Sequence, residues 1–227
     1  MDHKKLLLTI AIVLAAGGGA MATPSTQIWN PSTDIQPTGV WHLGIDNYFT
    51  SQGPADGGYA FPTDTGLTYG LLPGLEVGAD VFLPQSSPFV FNAKYGISES
   101  GNLPAFAVGG FGFGTEKGVT DQNVLYAVAA KTFPVGRLTA GYFSGNSSVL
   151  KDPSGNPDNA GVILTWDKYL TDKIWACVDY SSSNSALGAL FYGLSYSFAP
   201  NTSVILGYGT YNNGAKPTIT TQVDINI

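Results

Sequence analysis

Beyond residue 22 the chain has no run of about 18 apolar residues, yet apolar and polar residues alternate with period two through stretch after stretch. Such a chain has no helix with which to cross a bilayer, and each extended stretch carries one greasy and one polar face. The alternation predicts twelve strands, at 38–49, 61–72, 75–82, 89–97, 103–115, 122–133, 137–144, 160–170, 174–180, 187–198, 202–211 and 218–227. In the fourth, Phe89, Phe91, Ala93, Tyr95 and Ile97 share one face and Val90, Asn92, Lys94 and Gly96 the other. In the third, Leu75, Val77, Ala79 and Val81 oppose Glu76, Gly78 and Asp80.

The connections sort into two kinds. Pro73-Gly74, 98–102, 134–136, 171–173 and 199–201 are short turns, and they alternate with longer connections at 50–60, 83–88, 116–121, 145–159, 181–186 and 212–217. An up-and-down meander closed in a membrane sorts its connections in this way, with short turns on the periplasmic side and longer loops outside. A β-sandwich has no reason to. The pattern implies an even strand count and both ends of the barrel on the short-turn side.

Composition separates a membrane barrel from a soluble one. Charged residues are 11% of the chain, and Gly, Tyr and Phe number 29, 12 and 12. A soluble protein of this size needs a denser charged skin, near 25%. The mean hydropathy is only slightly positive, too low for a helical membrane protein. A barrel reconciles the two, because only every second residue meets lipid. Trp41, Tyr48, Phe49, Phe133, Tyr169, Phe198 and Tyr211 gather near strand ends, as interfacial girdles do. The net charge of −6 argues against a nucleic-acid partner.

Residues 1–22 read as a secretory signal. Lys4 and Lys5 precede the apolar run Leu6 to Ala16, and Ala20-Met21-Ala22 fits a small-x-small cleavage site. Residues 23–37, rich in Pro, are expected to lie outside the wall at the periplasmic mouth, and 38–227 to form the barrel with no plug domain.

With these features in place, the chain resembles bacterial outer-membrane β-barrel proteins. Its last stretch, Ile219-Thr-Thr-Gln-Val223-Asp-Ile225-Asn-Ile227, is similar to the terminal strand that such proteins present to their assembly machinery, with Ile where Phe is commoner. Thr23-Pro-Ser-Thr-Gln-Ile-Trp29-Asn-Pro-Ser-Thr-Asp34 resembles the start of a poorly characterised group of them. The resemblance implies fold and location, with outer-membrane lipid, lipopolysaccharide and the assembly machinery as partners. It carries over no functional residue.

Motifs that could bear chemistry have plainer readings. His42 is the only histidine after residue 22 and has no His-x-Ser partner; Asp46, four residues along the same face, is roughly 13 Å away. A serine from a neighbouring strand could still meet it. Gly109-Gly-Phe-Gly-Phe-Gly114 lacks the spacing of a nucleotide loop and suits a strand that must bend around aromatics. Asp152 to Asn159 clusters oxygen side chains in the longest loop, without EF-hand spacing. Cys177 is the only cysteine and reads as a small packed residue. No cofactor motif is found.

Twelve tilted strands give a backbone radius of about 12 Å, wide enough for a narrow channel. Parity predicts Asp46, Asp64, Glu76, Asp80, Asp167, Asp179 and Asp224 in the lumen, with Lys94 and Lys131 as its bases. An excess of carboxylates in a confined path favours cations. The leading expectation is a small passive porin for small solutes or ions with cation preference. A non-conducting structural or adhesion barrel, or the sleeve of a larger complex, is the second, and a lipid hydrolase in the barrel wall the third.

Overall fold

The twelve expected segments become twelve strands, and their order around the wall is their order in the chain. The computed structural model describes residues 25–50, 52–58, 62–84 and 89–227; the expected signal segment and its cleavage site lie outside the described residues. The strands are β1 (Trp41–Phe49), β2 (Thr63–Leu72), β3 (Leu75–Leu83), β4 (Phe89–Ile97), β5 (Ala105–Gly114) and β6 (Asp121–Phe133). They continue as β7 (Gly136–Ser144), β8 (Ala160–Tyr169), β9 (Ile174–Ser181), β10 (Ala189–Ala199), β11 (Thr202–Tyr211) and β12 (Thr218–Asn226). Every neighbouring pair is antiparallel, and β1 pairs with β12 to close the barrel. Closure leaves no strand edge unpaired, as lipid requires. Trp41 and Ile227 exchange both backbone hydrogen bonds at the seam, so the chain's last residue completes the ring.

The first strand starts three residues later than expected. Gly39 adopts φ 83°, which ends the incoming chain in a turn. A bulge at Gly112, φ 68°, shifts the register of β5 against β6 between Phe111 and Phe113. The glycine-rich stretch is thus a bent strand, and Phe111 turns inward against Tyr126.

The outward face is an apolar belt. Leu125 is 62% exposed, Leu206 61% and Leu194 52%, values no soluble wall would tolerate around its whole girth. Trp41, Tyr69, Tyr196 and Phe198 ring the short-turn end, Trp41 lying 4.4 Å from Tyr69 between ring centres. Tyr142, Tyr192 and Tyr208 mark the long-loop end.

The lumen is more filled than the expected narrow channel with an excess of carboxylates. On the β5 to β8 side, Val124, Val128, Phe143 and Ile163 point inward and are fully buried. Leu150, from the long loop 145–159, folds down onto them. On the β9 to β11 side, Trp175, Cys177, Phe191 and Ile205 form a second buried cluster. Much of the bore is therefore packed like a soluble core, with polar side chains such as Thr165, Asp179, Ser195 and Gln222 buried among the apolar ones, and the open space lies mainly along β1 to β4.

Candidate functional site

The second cluster packs around a segment that sequence reasoning placed elsewhere. Residues 25–36 do not sit outside the wall; they enter the lumen, where Gln27, Ile28, Asn30, Ser32, Thr33 and Gln36 are all buried. Trp29 stacks on Phe191 with ring centres 5.1 Å apart and meets Tyr48 edge-on at 5.5 Å. Its indole N–H donates to the Leu187 carbonyl at 2.9 Å. The expectation of a barrel without a plug is corrected accordingly. The one sequence signal was Ile28-Trp29, an apolar pair too isolated to make a strand and too large to stay in water.

Carboxylates from the wall hold this segment. Asp179 Oδ2 accepts the backbone N–H groups of Ile28, Trp29 and Asn30 at 3.2, 2.8 and 2.8 Å. Asp179 Oδ1 accepts Asn30 Nδ2 at 2.6 Å and the Thr165 hydroxyl at 3.0 Å. Successive N–H groups aimed at one oxygen form an anion-binding nest, here closed on a wall side chain. Glu76 accepts the Ser25 hydroxyl and the Gln36 N–H, both at 2.6 Å, and pairs with Lys94 Nζ at 3.2 Å. Lys94 in turn donates to the Ser25 carbonyl at 3.1 Å. Arg137 bridges Asp34 of the segment, at 2.7 Å, to Asp167 of β8, at 2.9 Å. Gln222 Nε2 donates to the Ile28 carbonyl at 2.8 Å. At the segment's base the chain crosses β2 at Gly70, where a Cβ would strike the Pro37 backbone.

The nine expected lumen residues thus divide. Glu76, Lys94, Asp167 and Asp179 face inward and are engaged with the segment or with Arg137. Asp224 faces inward beside His42 Nε2 at 3.4 Å and accepts the Ser203 hydroxyl at 3.3 Å. That order puts the carboxylate between serine and imidazole, whereas nucleophilic catalysis needs the imidazole in the middle. His42 Nδ1 meets Asn226 Oδ1 at 3.0 Å, so both ring nitrogens face β12. Lys131 is a correction. Val124, Tyr126, Val128 and Ala130 define the inward face of β6, and Lys131 falls on the other. It reaches down to Glu99 at 2.8 Å in the turn below, as a lysine at the edge of an apolar belt does.

Asp46, Asp64 and Asp80 remain, and strand register brings them together. Asp46 lies directly opposite Asp64, and Asp80 is opposite Gly66, one inward step along β2. Asn92 Nδ2 donates to Asp80 Oδ2 at 2.7 Å. Among the described residues, no lysine or arginine forms an ion pair with any of the three. They line a cavity of about 390 Å³. Its walls include His42, Gly44 and Tyr48 of β1, its floor Ser25, Thr26 and Ile28 to Pro31 of the inserted segment, and its rim Pro62, Val119 and Leu187 near the long loops. In the longest loop the Asp152 carboxylate accepts the N–H groups of Ser154 and Asn156 at 2.9 and 2.8 Å and shapes the turn.

With wall and lumen described, known structures can be placed beside them. A KdgM porin matches with a TM-score of 0.52 at 11% identity, over 82% of this chain and 97% of that one. A KdgM porin in complex with disordered oligogalacturonate matches to the same extent. A NanC porin matches over 81% of this chain and 98% of that one, at 9% identity and a TM-score of 0.49. The fold is that of the bacterial outer-membrane porins. At such identity the likeness covers the wall and its topology, and no lumen residue is carried across. No protein-family model matches the sequence, and no curated protein does.

Proposed function

We propose that this protein is a narrow passive channel of a bacterial outer membrane, with a preference for small cations. The acidic ladder Asp46, Asp64 and Asp80 carries the reading. Carboxylates facing one another across adjacent strands repel unless a counter-charge enters between them. In a cavity with low-dielectric walls they raise the local concentration of cations and exclude anions. The porin-like wall and the exposed apolar belt support the membrane setting, with lipid and lipopolysaccharide around the belt and the assembly machinery acting on β12. An anionic oligosaccharide, such as the oligogalacturonate bound to the KdgM porin, would meet three carboxylates here. A different solute is therefore expected.

The filled half of the lumen favours a second reading, a non-conducting barrel that serves as a structural or adhesive element. Planar-bilayer recording of refolded protein under a salt gradient separates the two. Steady conductance with a cation-directed reversal potential supports the channel. An anion-directed potential removes the selectivity, and absence of conductance leaves the second reading standing.

A further inference from the structure

We infer that residues 25–36 are a displaceable plug, latched by Asp179 and Glu76 and hinged at Gly39, so that the barrel passes between a closed and an open state. The consequence for flux rests on the channel reading; the displacement itself does not.

The way the segment is held leads to this conclusion. A permanent filling of a membrane barrel would be apolar against apolar, because every unpaired polar group left inside costs about 1–3 kcal/mol. Here the apolar contacts are those of Ile28 and Trp29 with the aromatic cluster and of Ile35 with Gly96. Elsewhere the inward wall is polar and buried, at Thr139, Ser195, Thr220 and Gln222. Thr139 Oγ1, Ser195 Oγ, Thr220 Oγ1 and Gln222 Oε1 have no protein hydrogen-bond partner. On the segment the same holds for Gln27 Nε2, Thr33 Oγ1 and Gln36 Oε1. The segment's own atoms gain water when it withdraws, and the wall it leaves carries polar side chains beside the aromatic cluster. The seated state is favoured instead by the charge-assisted bonds to Asp179 and Glu76.

Among the described residues, the segment's backbone also pairs with the wall only at its base. It adds to no strand of the wall: its isolated bridges, among the described residues, are Thr26 to Pro31 within itself and Thr38 to Gly70 at its base. Gly39, at φ 83° with open space around it, links it to β1.

The chain's single cysteine reports the motion. Cys177 is buried on β9, its Sγ 4.0 Å from Gln27 Oε1 of the seated segment. Full-length protein in phospholipid vesicles is exposed to a bulky, water-soluble maleimide while its folded state is followed by gel mobility. Slow but complete labelling of the folded wild type is expected, with a rate at least tenfold higher in Asp179→Asn. Trp29→Ala, which removes the apolar pin and leaves the carboxylate, should accelerate labelling too and serves if Asp179→Asn does not fold. A folded wild type that stays unlabelled for a day overturns the proposal, as does an unchanged rate in the folded variants. Labelling without conductance would keep the plug and remove the channel. Conductance with a protected Cys177 would do the reverse.

Discussion

The carboxylate of Asp179 lies 2.8 Å from the backbone nitrogen of Trp29, 150 residues earlier in the chain. This contact ties the entering segment to the far wall of the barrel, where Asp179 is fully buried. Asp179→Ala would leave three backbone N–H groups and the Asn30 amide without their acceptor. A loss of about 3 kcal/mol or more is expected from urea unfolding in vesicles. Val178→Ala, one residue away on the lipid face, should cost under about 1 kcal/mol.

Glu76 and Lys94 form a buried ion pair, 3.2 Å apart, with near-zero exposure. Glu76→Gln strands a buried ammonium and should cost about 3–5 kcal/mol. Lys94→Met added to Glu76→Gln removes the stranded charge and should restore a large part of that loss. A double variant less stable than the single one would contradict the pairing.

Neutralising the acidic ladder should change selectivity and leave the fold intact. In the triple variant Asp46→Asn, Asp64→Asn, Asp80→Asn, the cation-to-anion permeability ratio is expected to fall toward unity. The shift in reversal potential measures it. Stability should rise slightly, since like charges face each other across β1 and β2.

Leu194 and Ser195 are neighbours on β10 that face opposite media. Leu194→Arg places a charge in the apolar belt and should cost about 2–4 kcal/mol near mid-membrane. Ser195→Ala removes a buried hydroxyl that has no protein partner and should be neutral or mildly stabilising. Equal effects at the two positions would mean that the faces are assigned the wrong way round.

At the short-turn end, hydrogen bonds from Lys131 and then Thr132 hold the Glu99 carboxyl below its ordinary pKa. A group depressed on folding stabilises above its unfolded pKa, and that contribution is lost as pH falls through the folded value. Glu99→Gln should therefore destabilise slightly at pH 7, and the difference should shrink as pH falls below the ordinary carboxylate range. The pair is exposed, so added salt should shrink the difference at pH 7.

Strand number, facing and closure were legible because alternation is local. Each residue's side is fixed by its neighbours two positions away, and the lengths of the connections gave the meander. Lys131 was misplaced because charge was weighed above parity, although Val124, Tyr126 and Val128 already set the inward face of β6. The acidic residues follow the parity of their strands, yet nothing local says which of them meet a basic partner. That follows from register: Asp46 meets Asp64 across the seam of β1 and β2, while Asp167 meets Arg137 across β7 and β8.

By itself, then, the sequence determined the wall, since a two-residue period repeated twelve times has one closed solution in lipid. Only the tertiary structure decided what fills that wall. Residues 25–36 have no period to read, and their place comes from donors and acceptors more than a hundred positions apart meeting in an enclosed space where water cannot serve them.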